Sequence, residues 1–214
     1  MTNVPRPTFH RPYQQDSNNF LYNLLFCDDV ALFRPTDSGP PTGALAVLLS
    51  STPRAEDIER IANDEKEESR LRVLAFNVLR SKSIAVPARQ ILGVVVEVPL
   101  DGGLDTLAAF VDGRVRYINH SEKVVIFEAT PASMTNDVED LLRASAAVVG
   151  KIGPWDKPRR PPPIAGNVRL TFLVSDGLYF GEGPFSAIQQ DPIGGPVLLT
   201  SSKLLAKIVS AARD

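Results

Sequence analysis

The chain has 214 residues, 43% hydrophobic and 22% charged, which suits one substantial domain held by apolar burial. Its 23 basic residues nearly cancel 25 acidic ones, for a formal net charge of −2. That balance excludes a global field able to hold nucleic acid or an anionic membrane. The single cysteine, Cys27, excludes an internal disulfide and a cysteine-based zinc centre, and no metal or cofactor is expected.

Residues 1–19 are polar and carry Pro5, Pro7 and Pro12, so they bury too little apolar surface to offset ordering entropy. They are expected to form a mobile tail or an arm laid on the surface, with residues 20–214 as a single domain. The start of the chain shows no apolar signal core. The longest apolar stretch, "GALAVLLS", falls far short of the roughly 20 residues that span a bilayer. A cytoplasmic location is expected.

In "FLYNLLFCDDVALFRP" (20–35), two apolar runs flank Asp28-Asp29, which reads as a hairpin or as one strand with a bulge. "DSGPPTG" (37–43) is a loop, and "GALAVLLSS" fits a buried strand or a helical turn equally well. Residues 53–83 are rich in helix formers, acidic early and basic late, with "ANDEKEES" a candidate break into two helices. The charge run there reads as a solvated helix face.

Residues 88–129 read as four strands: Ile91–Val98, Thr106–Val111, Val115–Ile118 and Val124–Phe127. The short separators "PLDGG", "DG" and "NHSEK" make these an antiparallel meander. Asp112-Gly113 is the strongest hairpin signal and predicts a type I′ turn. Residues 136–153 form the clearest amphipathic helix, with Asn136 placed to cap it and Glu139 three residues on. The proline-rich segment 154–166 predicts a stiff connector, 167–184 a further strand–turn–strand, and 185–211 a short helix and a closing helix. The resulting class is α+β: a mainly antiparallel sheet, joined by "NLLFCDDVALF", with helices covering one face.

Three stretches share an apolar run, a turn aspartate and a second run, placing Asp29, Asp112 and Asp176 at equivalent positions. Generic turn preference accounts for this better than duplication. His120, in "NHSEK", is a candidate general base oriented by a carboxylate such as Glu122, although its neighbours are ordinary turn residues. Cys27 with His120 and Asp29 makes a conceivable nucleophilic triad, against which stands the burial typical of free cysteine. The glycines around Tyr179, Phe180 and Glu182 permit close backbone approach and mark a candidate small-molecule wall. Trp155, Arg159 and Arg160 on the stiff connector form either a partner-docking element or a strap over the core.

No spacing fixes a chemistry. The reading favoured by the sequence is a non-catalytic interaction or regulatory protein acting through protein–protein contacts, self-association included. The alternatives are a small hydrolase using Cys27 or His120 with a turn aspartate, and a small-molecule binder.

Overall fold

The computed structural model describes residues 9–35 and 39–212. Seven α-helices and six strands lie among them. The strands are β1 (Ile91–Leu100), β2 (Gly103–Phe110), β3 (Val115–Ile118), β4 (Val124–Phe127), β5 (Asn167–Val174) and β6 (Gly177–Pro184). They form one fully antiparallel sheet in the order β4-β3-β2-β1-β5-β6. The meander is present as expected, and β5–β6 adds a hairpin against β1.

The expected α+β class holds, but helices cover both faces of the sheet rather than one. Helices α1 (Asp16–Leu24), α2 (Gly43–Leu48), α3 (Ala55–Asn63) and α4 (Ser69–Ser81) pack on one face. Their core includes Tyr22, Phe26, Ile58, Leu74 and Phe76 against Leu92, Val95, Ala108, Phe110 and Leu173. On the other face, α5 (Ala132–Val149) and α7 (Gly194–Ala211) bring Leu141, Val149, Val197 and Leu204 onto Val94, Leu107, Val168, Leu170 and Phe172. Helix α6 (Phe185–Gln190) links β6 to α7. The reason is visible in the strands: "ILGVVVEV" and "VRLTFLV" are near-continuous apolar runs, the pattern of strands buried on both sides.

"NLLFCDDVALF" does not join the sheet. Its first part is helix α1, and Val30–Phe33 form a 3-10 turn. The buried face of α1 consists of Asn18, Asn19, Tyr22 and Asn23, with Phe20 left exposed. Helical periodicity was masked because the inward face is polar. Residues 9–15 lie as an ordered arm against α1, with Tyr13 buried; the rest of the expected tail, residues 1–8, lies outside the described residues.

The stretch "GALAVL" is helical, and the break between α3 and α4 falls in "DEKEE". Helix α5 starts at Ala132 after Pro131, so Asn136 sits inside it and caps nothing. The Asp112-Gly113 turn is not type I′. Only Gly113 has positive φ (81°), Gly113 N donates to Phe110 O, and Phe110 N donates to Arg114 O. That is a type I turn closed by a glycine bulge. Asp112 instead caps α4: its Oδ2 accepts Ser69 N at 2.7 Å, while its own N donates to Ser69 Oγ at 3.1 Å.

Candidate functional site

The densest polar chemistry is a row of side chains running across the middle of the sheet. Strand register places Thr106 opposite Glu97, Glu97 opposite Arg169, and Arg169 opposite Glu182. Directly opposed residues share a face, so these side chains project together toward α1. Glu97 is fully buried and Arg169 nearly so. Arg169 donates through Nε and Nη2 to Glu182 Oε2 at 2.9 and 2.7 Å, and its Nη1 lies 3.7 Å from Glu97 Oε2. Tyr22 on α1 donates its hydroxyl to Glu97 Oε1 at 2.6 Å. Loss of water is the largest influence on Glu97 and raises its pKa, outweighing Arg169, Tyr22 and Arg159, which pull it down.

Thr106 and Arg169 in the row also hold segments without regular structure. The Tyr13 hydroxyl in the arm meets Thr106 Oγ1 at 2.8 Å. In the proline-rich segment, Arg160 O and Pro161 O accept from Arg169 at 3.1 and 2.5 Å. The segment is therefore a strap tied to the sheet. It is tied at a second point by Arg159, which donates to Asp28 Oδ2 (2.9 Å) and Asn23 Oδ1 (2.7 Å) and lies 4.0 Å over the Phe26 ring. The arm meets the strap where His10 Nε2 lies 3.1 Å from Arg159 O. Burial, the first influence on His10, lowers its pKa.

The structure does not bring Cys27, Asp29 and His120 together. Cys27 is fully buried, with Sγ directed at Leu24 O and Leu25 O, and burial pushes its thiol far above the usual range. Asp29 caps the 3-10 turn by accepting Ala31 N at 2.9 Å. His120 is on the surface, and its orienting carboxylate is Asp105 rather than Glu122. Asp105 Oδ1 lies 3.1 Å from Nδ1 and also accepts His120 N, while Oδ2 accepts the Tyr117 hydroxyl. Glu122 takes a left-handed conformation (φ 68°) and turns to the arm, accepting Gln14 N and Gln15 N at 2.7 and 2.9 Å. The "NHSEK" turn therefore anchors the chain's own N-terminal segment.

Tyr179 and Phe180 alternate on β6 and face opposite sides of the sheet, so they do not line one wall. Tyr179 is buried with the α5–α7 side, and its hydroxyl donates to Asp176 at 3.0 Å. Phe180 packs edge-on against Trp155 at 4.8 Å, and Glu182 belongs to the polar row. Trp155 pairs with Leu178 at the outer edge of β6. Arg159 is buried and Arg160 is half exposed, so the three connector residues do not present one surface. The turn aspartates differ in task as well: Asp29 caps a turn, Asp112 caps α4, and Asp176 accepts a tyrosine.

Among the described residues, no cluster of three or more potential metal ligands occurs. A shallow groove of about 320 Å³ lies between α2 and α3, lined by Ala44, Val47, Arg60, Ile61, Asp64 and Glu67. No helix of the described residues is long and apolar enough to cross a membrane. At the far edge, β4 pairs, among the described residues, only with β3, and Val124 and Ile126 are exposed. Asn119 N donates to Lys123 O, which by antiparallel alternation turns the N–H and C=O of Val124 and Ile126 outward. No protein-family model and no curated protein matches this chain.

Proposed function

We propose that the protein is a non-catalytic interaction or regulatory protein that works through protein–protein contacts, with self-association at β4 as one form of contact. The observation that carries this reading is the β4 edge: two outward backbone pairs beside two exposed β-branched side chains. Such an edge is a ready template for another strand. Antiparallel pairing of two copies about a two-fold axis sets Val124 of one copy opposite Ile126 of the other on the same face, so the exposed apolar groups cover each other.

The test is the mass of the full chain as concentration rises, by sedimentation velocity, for the wild type and for Ile126→Lys. Association of the wild type and its loss in the variant, with an unchanged circular dichroism spectrum, support the reading. Equal behaviour of the two chains refutes the assignment to β4. One observation favours a second reading, a small hydrolase: Asp105 orients the His120 imidazole as a base would need. Under that reading His120→Ala abolishes the cellular phenotype and Ile126→Lys leaves it intact; under the first, the order is reversed.

A further inference from the structure

The arm is held in an unusual way. Asn19 accepts Tyr13 N at 2.9 Å and donates from Nδ2 to Tyr13 O at 2.8 Å. One helical turn later, Asn23 accepts His10 N at 3.0 Å and donates to His10 O at 2.7 Å. Two buried amides on one face of α1 thus each clamp both main-chain groups of one arm residue. This is the bonding that a strand partner would supply, delivered by side chains. Every peptide carries those main-chain groups, so the clamps read backbone rather than sequence. Selectivity comes from the side chains: Tyr13 reaches Thr106 and packs edge-on against Tyr22 with ring centroids 6.0 Å apart, and the His10 ring meets Arg159 O.

The arm doubles back along α1, and the reversal at Gln14–Gln15 is held by the exposed carboxylate of Glu122. A reversal held by hydrogen bonds at the surface straightens at low cost. An arm seated by self-contained clamps is the arrangement that exchanges between copies. We infer that the α1 face is a receptor for a peptide segment, filled in cis by residues 9–13, and that its trans occupant is the same arm of a second copy. The observation that selects this occupant is the fit of its own sequence: backbone in both clamps, Tyr13 in the slot. The clamps involve none of the β4 residues, although Glu122, which holds the reversal, precedes β4 in the β3–β4 turn.

The experiment uses the full chain carrying Ile126→Lys, so that β4 pairing cannot contribute. Deleting Gln14 and Gln15 removes the reversal and leaves the arm unable to reach its own helix. The expected result is a dimer by light scattering. Adding Asn19→Ala and Asn23→Ala weakens that dimer by roughly tenfold for each clamp. A monomer, or a dimer indifferent to the two asparagines, overturns the inference. Should the shortened chain fail to fold, a synthetic peptide of residues 9–15 added to the unshortened chain decides. The tethered arm has an effective concentration in the millimolar range, so millimolar peptide releases it and moves the Tyr13 resonances to free values. Unmoved resonances at peptide saturation overturn the inference.

Discussion

Replacing Arg169 by Ala is the most demanding perturbation of this fold. Arg169 is 3% exposed and makes hydrogen bonds to Glu182, Arg160 O and Pro161 O, beside the charge of Glu97. Its removal leaves the buried Glu97 carboxylate with the Tyr22 hydroxyl bond and the charge of Arg159, and frees two strap carbonyls to water. Breaking a buried pair from one side costs ~3–5 kcal/mol. For a chain of this size that is a fall in Tm of ~10 °C. Urea unfolding followed by circular dichroism measures it, with limited proteolysis reporting release of the 156–163 strap. The control is Glu97→Leu added to Arg169→Ala: with the orphaned carboxylate gone, a large part of the loss returns. A loss below ~1 kcal/mol, or no relief from the second substitution, refutes the view that the row anchors the strap.

Three further outcomes follow from particular side chains. The folded-state pKa of Glu97 is raised, chiefly by burial, so its stabilising contribution is fully present below the unfolded value and is lost as pH rises through the folded one. Glu97→Gln therefore gains on the wild type as pH rises, and urea midpoints that keep a constant gap across pH contradict this. Burial pushes the Asp112 carboxyl up, but the N–H groups of Ser69 and Arg114 and the Arg114 charge outweigh it, giving a net lowering. Asp112→Ala costs about 1–2 kcal/mol at neutral pH as a lost cap, and the deficit closes as pH falls through the folded-state value. Equal deficits at neutral and acid pH would count against the capping role. Native Cys27 reacts with an aromatic disulfide reagent only as fast as the chain opens, because its thiol is buried and hard to ionise. Labelling at the rate of a free thiol would show the site to be open.

The helices of the second half are legible because their apolar residues repeat with a helical period, as Leu141, Val148 and Val149 do in α5, and the strands because short apolar runs such as that of β1 are bounded by turn residues. The turn at Gly113 is legible as a turn but not as a type, since Asp-Gly serves several geometries. Helix α1 is not legible, because its buried face is stabilised by hydrogen bonds to partners outside the helix that no local pattern reveals: Asn19 and Asn23 bond the arm, and Tyr22 bonds Glu97. The polar row left a signal that pattern reading can use: Glu97 in "VVVEVP" and Arg169 in "NVRLTF" are single charges inside apolar strand runs. A charge placed there needs a buried partner on a neighbouring strand. Pairing them requires the register of β1 against β5, which depends on residues more than 70 positions apart, as Glu97 and Arg169 are. The burial of Arg159 hangs on Asp28 and Asn23, which are more remote still, 131 and 136 positions away.

The claim that this protein works by contact rests on the outer side of β4, and amide hydrogen exchange at Val124 and Ile126 tests it most directly. Among the described residues of one copy, no strand lies beyond those two N–H groups. Their exchange is predicted to be fast in dilute solution and to slow together, with Val125 and Phe127 unchanged, as association proceeds. Protection at Val124 and Ile126 that is independent of concentration, or association that leaves both exchanging freely, would contradict the account.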